Sequence, residues 1–232
     1  MDRKQLPPLL AAVSLGLVFV GLACGGDGGG DQLAVGDRLR GMVLQSTDVP
    51  AGYEATSGTF STNEEAAQGA ADPGARLTTL EGWDRMLGYN VSYEPGAAAP
   101  SDTAIVGIET AASLYGSEEG ANASFADAVK EARRTDWPAQ YPDPSSVTVE
   151  EIERPSLAEG AFWLRITVTV DLGDDVTILA DDFIIIHFGS VRGFLRILSL
   201  SDSTGNDSSL EEVERLAQIQ LANIQKSVTE MS

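Results

Sequence analysis

The sequence predicts an α+β domain: an antiparallel β-sheet, in one piece or as two similar halves, packed against helices and preceded by a cleaved signal peptide. Two kinds of pattern carry this prediction. Residues 83–94 and 161–171 alternate between two faces, as in strands that bury one face. Residues 118–134 and 210–228 instead repeat their apolar positions at helical spacing. In each half the strands come first and a helix follows, so the halves share one order of elements.

The first residues of the chain have the pattern of an export signal. Arg3 and Lys4 precede an apolar run that extends to Ala23, which is the order of a secretory signal peptide. Pro7 and Pro8 leave a helix of roughly 15 residues, shorter than the roughly 20 that cross a bilayer. We therefore predict a signal peptide over residues 1–23. An uncleaved signal anchor and a plain secretory signal are the alternatives.

Cys24 is the predicted attachment point to the membrane. Gly21-Leu22-Ala23-Cys24 resembles a bacterial lipobox, which implies that Cys24 is lipidated and becomes the first mature residue. Cys24 is the only cysteine, so an internal disulfide is excluded. The glycine-rich stretch after it is typical of a flexible spacer. We predict a lipidated tether over 24–32 and one extracytoplasmic domain over 33–232. The anchor then lies on the outer face of the cell membrane, or in the outer membrane where a cell has one.

The charge of the chain restricts its partners. The formal net charge is −20, and it becomes −21 once residues 1–23, with Arg3, Lys4 and Asp2, are removed. An anionic surface of this size repels phosphate backbones, so nucleic acid is not expected as a partner. It also opposes docking on anionic lipid, so membrane contact is expected through the lipid on Cys24. The simplest use of the charge is solubility.

The first half of the domain is predicted to run from a helix into a sheet. The predicted elements are a helix over 33–45, a strand over 53–60, one or two weak helices within 61–80, strands over 83–94 and 103–110, and a helix over 118–134.

The turn between the first helix and the first strand carries a family resemblance. Asp48-Val49-Pro50-Ala51-Gly52-Tyr53 combines Pro and Gly in a tight turn. This entry into the sheet resembles small exported domains of actinobacterial lipoproteins, a group that includes extracellular sensor domains of mycobacterial receptor kinases and PsbP-like lipoproteins. Val49 stands where that group has Leu. The resemblance implies an exported α+β fold with a sensory or ligand-binding function, and no particular ligand.

The second half is predicted to be an antiparallel meander covered by the last helix. Three prolines between 138 and 144 mark an irregular crossing between the halves. Short connections join the last three strands, which implies antiparallel pairing. The predicted elements are strands over 147–152, 161–171, 176–188 (with a break near 180–182) and 194–200, and a helix over 210–228 that packs across the meander.

The sequence offers little for catalysis. His187 is the only histidine, at a predicted strand end, without a nucleophile motif beside it. The aspartates near 171–175, 181–182 and 202–207 lack the spacing of a calcium loop. We therefore expect no enzyme, no metal and no cofactor. A pair of carboxylates that face each other across a cleft stays open, because sequence does not show their separation.

Two arginines are the candidate ligand-binding residues. Arg85 shares strand parity with Trp83 and Leu87, and Arg196 shares it with Phe194 and Leu198. An arginine on an inward face needs a carboxylate partner or an anionic ligand. An internal ion pair or an edge residue with an exposed head is the simpler interpretation. Five aromatic residues could line an apolar pocket or belong to the core: Tyr53, Trp83, Tyr89, Tyr93 and Trp163.

The sequence therefore predicts a membrane-anchored extracytoplasmic lipoprotein that acts as a non-enzymatic ligand-binding or sensor-like module. Its partner would be an unknown small ligand or an envelope protein. The alternative is a structural or protein-interaction lipoprotein of the cell envelope. An enzyme ranks third.

Overall fold

The computed structural model of the chain describes residues 29–100, 104–141, 144–157, 160–171, 176–201 and 208–230. The helices are α1 (Gly29–Met42), α2 (Asn63–Ala67), α3 (Pro73–Gly82), α4 (Glu118–Arg134) and α5 (Ser208–Thr229). The strands are β1 (Tyr53–Ser61), β2 (Arg85–Pro95), β3 (Ile105–Tyr115), β4 (Ser146–Glu151), β5 (Ala161–Asp171), β6 (Val176–Phe188) and β7 (Val191–Ser201).

All seven strands form one antiparallel sheet in the order β1-β2-β3-β7-β6-β5-β4. The first half of the chain supplies β1, β2 and β3, and the second half supplies the meander β4 to β7. The halves join where β3 pairs with β7, with Glu109 opposite Arg196. The predicted α+β class is confirmed, and the two predicted halves form a single sheet.

Helices cover both faces of this sheet. Helices α1 and α5 pack on one face, where Leu39, Leu195 and Leu216 belong to a single buried cluster. Helix α4 packs on the other face against β3, β6 and β7, and the crossing that holds Trp137 and Tyr141 extends this second layer. The helix over 210–228 was expected to pack across the meander, and α5 does so against β6 and β7.

Strand β6 is continuous from Val176 to Phe188, so the predicted break near 180–182 is wrong. Two consecutive aspartates suggested the break, because unpaired buried carboxylates are costly. Both are fully buried here, and each binds an arginine: Asp181 binds Arg196 and Asp182 binds Arg165. Charge compensation across neighbouring strands therefore keeps the strand intact.

Three other element boundaries differ from the prediction, and strand pairing accounts for the two that belong to strands. Strand β3 extends to Tyr115, past the predicted end at Thr110, because Ala111 to Ser113 pair with both β2 and β7. Strand β7 begins at Val191 rather than Phe194, so the β6–β7 turn is tighter than expected. Helix α1 begins at Gly29, ahead of the predicted start at Leu33.

Several predictions fall outside the described residues. These are the signal peptide over 1–23, the lipidation of Cys24, most of the glycine-rich tether, and the aspartates at 174, 175, 202 and 207. In the described ranges, no helix combines the length and the apolar character needed to cross a membrane. Within the same ranges, no group of histidine, cysteine or carboxylate side chains is arranged to hold a metal ion.

Candidate functional site

Two neighbouring surface depressions share Arg133 and together form what we call the Arg133 groove. Their volumes are about 420 and 400 Å³, each within the size range of small-ligand sites. One depression follows the outer side of α4, and the other lies between α4, the end of β4 and the start of β5. The lining residues are Phe125, Ala126, Val129, Lys130, Arg133 and Arg134 in the first, and Arg133, Glu151, Ile152, Glu153, Arg154, Ala161, Phe162 and Trp163 in the second.

Helix α4 supplies most of the positive charge of the groove. Its N-cap is Ser117, whose hydroxyl accepts a hydrogen bond from the Gly120 N–H. Its inner stripe packs on the sheet and leaves Lys130, Arg133 and Arg134 exposed in the last turns. Cations at a helix C-terminus are favoured by the helix dipole.

Two arginines of the groove lie over aromatic rings. The Arg133 guanidinium carbon lies 5.1 Å from the centre of the Phe162 ring, and that of Arg154 lies 5.7 Å from the Trp163 ring. Both distances fit cation–π contacts. Both rings are buried, so the arginines form the accessible surface of this part of the groove.

Carboxylates hold these arginines in place. Arg133 donates two hydrogen bonds of 2.8 Å to the two Glu151 oxygens, and Arg154 lies 3.1 Å from Glu214. The hydrogen bonds from Arg133 lower the pKa of Glu151 and raise the pKa of Arg133. Lys130 and Arg134 form no ion pair with any residue in the described part of the chain. The groove therefore has cationic groups left over for an anion.

Arg196 is an inward-facing residue, as its parity predicted, and it lies outside the groove. Its Nε and Nη2 donate to Asp181 at 2.9 and 2.7 Å, and its guanidinium lies over the Phe183 ring at 5.0 Å. Tyr141 donates its hydroxyl to the same carboxylate at 3.0 Å. Burial opposes the charge of Arg196, but the bonds to Asp181 outweigh it and raise the pKa of Arg196. The geometry is that of the internal ion pair named above as the simpler interpretation.

Arg85 is buried without a carboxylate partner in the described part of the chain, and it also lies outside the groove. The predicted parity with Leu87 is wrong, because a bulge separates the two residues and pairs Arg85 with Tyr115. Burial is the main cause that lowers the pKa of Arg85, to about 10, and the charges of Arg192 and Arg76 add to it. The acceptors around its guanidinium are all neutral: Ser61 O and Oγ, Thr62 O, Asn63 Oδ1 and Ser113 Oγ. Arg85 thus fastens the end of β1 to β2 and β3.

The other candidate residues divide between core and groove. Tyr53 and Tyr93 are buried in the core under α1, and Tyr89 packs against Phe60. Trp83 lies under Arg76, with 5.2 Å between guanidinium and ring. Of the five aromatic residues, Trp163 lines the groove. Its indole N–H also donates to Asp182 at 2.7 Å.

His187, at the end of β6, is half-buried. Its ring lies 6.0 Å from the Phe125 ring, and its Nε2 has no hydrogen-bond partner among the described residues.

Sequence reasoning missed the residues that define the groove. Lys130, Arg133 and Arg134 lie on the outer side of a predicted helix, where charge is expected. A signal was present, since three cations in five residues are unusual in a chain of net charge −20. Arg154 had no such signal, because the sequence does not show that its loop lies beside the start of β5 in the folded chain.

The fold has a counterpart among solved structures. The extracellular domain of PknH from Mycobacterium tuberculosis superposes with a TM-score of 0.50 at 10% sequence identity, over 83% of this chain and 96% of that domain. No family model and no curated protein matches the sequence. The likeness is one of fold alone. It confirms, at that level, the predicted resemblance to extracellular domains of mycobacterial kinases.

Proposed function

We propose that this chain is a lipid-anchored, extracytoplasmic, non-enzymatic ligand-binding module of sensor type, and that the Arg133 groove binds a small anion. Cys24 would hold it at the outer face of the membrane. The observation that carries the ligand proposal is the charge of the groove. Four of the 15 lysines and arginines line it, against two glutamates, in a chain with 35 acidic residues.

An anion fits the groove because three of its four cations are exposed and the four are only partly neutralised. Glu151 occupies one side of the Arg133 guanidinium, while Lys130 and Arg134 are exposed on the same helix. Phe125, half-buried, and the exposed Ala126 add apolar surface beside these charges. A small carboxylate with an apolar body would use both kinds of contact.

The ligand proposal is tested by thermal shift on the full chain in a non-ionic detergent micelle. The matched probes are 4-phenylbutyrate, 4-phenylbutanamide and 4-phenylbutylamine, which differ in charge and share the ring. We expect the carboxylate alone to raise the Tm, by mass action on the folded state, and added NaCl to weaken the effect.

Two variants with opposite expected effects sharpen this test. Arg133→Gln should weaken carboxylate binding, and Glu151→Gln should strengthen it by freeing the Arg133 guanidinium. Arg215→Gln is the matched control, because Arg215 is an exposed arginine paired within its own helix to Glu212. Equal Tm shifts for the three probes, or no response to either groove variant, would refute the anion site.

The anchor is tested separately. Metabolic labelling with a fatty-acid analogue should mark the wild-type chain and leave Cys24→Ala unmarked. Equal labelling of the two chains would refute lipidation at Cys24.

A protein-interaction role is the second candidate, and strand β4 favours it. This strand lies at the edge of the sheet, and Val149 is exposed on it. An exposed edge strand can pair with an extended segment of another protein. A photo-crosslinker at position 149 that captures one envelope protein in cells, and none when placed at position 59 on β1, would favour this role.

A further inference from the structure

Large apolar side chains are exposed at two positions on one end of the sheet. Met86 is 52% exposed and Phe188 is 36% exposed. Val149 (41%) lies on the edge strand β4, and Val176 (44%) lies at the start of β6, the opposite end of the strand from Phe188. Isolated exposed apolar residues are common. The position of Met86 and Phe188 relative to the N-terminus of α1 is what distinguishes them.

Met86 and Phe188 lie at the same end of the sheet. Met86 follows Arg85, which pairs with Tyr115, and the Tyr115 N–H donates to Ser190 O at 2.9 Å. The start of β2 and the end of β6 therefore lie at the same end of the sheet, with β3 and β7 between them. Three strand spacings of about 4.8 Å place the two residues about 14 Å apart. We call this end of the sheet, defined by Met86 and Phe188, the anchor end.

Helix α1 begins at the anchor end. It runs antiparallel to α5: Arg215 reaches Asp48 O, Asn223 reaches Val43 O, and Ser227 Oγ lies 3.6 Å from the Cβ position of Gly41. One residue after Ser227, Val228 packs against Gly189 in the β6–β7 turn. Further toward the start of α1, the Cβ position of Gly36 lies 3.2 Å from Phe60 Cζ, near the end of β1 that pairs with the start of β2. The residues of α1 that precede Gly41 therefore extend toward the same end of the sheet as Met86 and Phe188.

The length of chain before α1 limits how far this end can be from a membrane. Gly29 is the fifth residue after Cys24, and a chain spans at most about 3.5 Å per residue step. The start of α1 therefore lies within about 18 Å of a lipidated Cys24. No other part of the described fold is held so near the anchor by the connectivity of the chain.

We propose that the anchor end is a lipid-contacting surface, with Met86 and Phe188 inserted at the interface of the outer leaflet. This inference rests on the proposed lipidation of Cys24. The net charge of −20 gives no attraction to anionic headgroups, so apolar contact must provide the binding. Two side chains are enough for this, because the anchor already holds the domain at a high effective concentration near the bilayer.

The test uses the full lipidated chain in phosphatidylcholine vesicles, with one cysteine introduced at a time. The variants are Met86→Cys and Phe188→Cys, with Val149→Cys and Val176→Cys as controls whose exposures lie between those of Met86 and Phe188. Each new thiol is labelled with an environment-sensitive maleimide dye, and its quenching by spin-labelled lipid is measured. We expect several-fold stronger quenching at 86 and 188 than at 149 and 176.

The outcomes separate this proposal from the anchoring on which it rests. Dye on the wild-type chain would show a free Cys24 and refute the anchor. Weak quenching at 86 and 188 on an acylated chain would overturn the lipid-contacting surface alone, and so would equal quenching at all four positions. A concentration-dependent blue shift at 188 that lipid quenchers do not reach would indicate a second copy of the chain, and would also overturn it.

Discussion

Asp181 and Asp182 are consecutive in β6, yet their carboxylates lie on opposite faces of the sheet and bind different arginines. Asp181 binds Arg196 on the face under α4, at 2.9 and 2.7 Å. Asp182 binds Arg165 on the face under α5, at 2.9 and 3.0 Å. Side chains alternate along a strand, so one dipeptide places one ion pair in each core. In each pair the two oxygens bind two nitrogens of one guanidinium, which is the strong geometry for this contact.

Asp182→Asn should therefore destabilise the fold by about 3–5 kcal/mol, because it leaves the Arg165 charge buried without its carboxylate. Urea unfolding of the full chain measures the change. The double variant Arg165→Met/Asp182→Leu should recover much of the loss, since an apolar pair leaves no charge uncompensated.

An exposed ion pair is the control for this prediction. Asp37→Asn breaks the pair with Arg40 on α1, where both side chains are more than half exposed. Its cost should stay within about 1 kcal/mol. Similar losses for Asp182→Asn and Asp37→Asn would contradict a special role of burial.

Gly88→Ala should destabilise the sheet by about 2 kcal/mol, through Arg85. A Cβ at Gly88 would lie 2.1 Å from Arg85 Nη2 and 2.7 Å from Ser61 Oγ. The guanidinium is buried and bound to five acceptors, so it cannot move aside without losing hydrogen bonds. In an Arg85→Met background the same substitution should cost much less.

Gly82→Ala is the matched glycine control, because nothing lies within 4 Å of its Cβ position. It should leave the urea midpoint nearly unchanged. If both glycine variants lose the same stability, contact with Arg85 does not govern the effect.

Glu109 should make the wild-type fold less stable as pH rises, and Glu109→Gln should remove this loss. Burial is the main cause that raises the pKa of Glu109, Arg196 opposes it, and Asp181 adds to it. A carboxyl whose pKa is raised by folding keeps its proton longer in the folded state. The free energy of unfolding therefore falls as pH rises from the unfolded pKa, about 4.3, through the folded pKa.

The stability of Glu109→Gln relative to wild type should thus increase across this pH window and level off above it. Urea unfolding at several pH values between 4 and 8 gives the difference, in which the titration of all other carboxyls cancels. Glu94→Gln, at an exposed residue on the neighbouring strand, is the control substitution. A flat difference for Glu109→Gln would argue against the raised pKa.

Alternation predicted most of the sheet, and small local events account for the errors. The face of β2 under α1 was assigned correctly from Leu87 to Tyr93, because the pattern there is unbroken. Arg85 was assigned to the wrong face because a one-residue bulge reverses parity and leaves no mark in the sequence. The Asp181–Asp182 pair suggested a break, since the compensating arginines are 15 and 17 residues away along the chain.

The candidate site was less predictable than the fold for a physical reason. A groove forms where separate segments meet, and Arg133 meets Glu151 and Phe162 through the packing of α4 on β5. Periodicity within one segment shows which side faces the core, but it does not show which loop lies beside the exposed side. Inward parity does reveal an arginine such as Arg196, whose need for a partner is local.

Thr110→Val should loosen the attachment of α1 to the sheet without creating a cavity. Thr110 is fully buried, and its Oγ1 accepts a hydrogen bond of 3.3 Å from the Leu44 N–H just after α1. Tyr93 donates its hydroxyl to the Leu44 carbonyl at 2.9 Å. Valine has the same shape as threonine but no acceptor, so a buried N–H is left unpaired at a cost of about 1–3 kcal/mol.

The effect of Thr110→Val should be local, and hydrogen exchange can resolve it. Amides of α1 should exchange faster than in the wild type, whereas amides of β6 and β7 should be less affected, because the lost bond fixes the link between α1 and the sheet. Thr148→Val on the exposed edge strand β4 is the matched control and should leave α1 unchanged. Uniform acceleration across the domain would instead mean that α1 and the sheet open together as one unit.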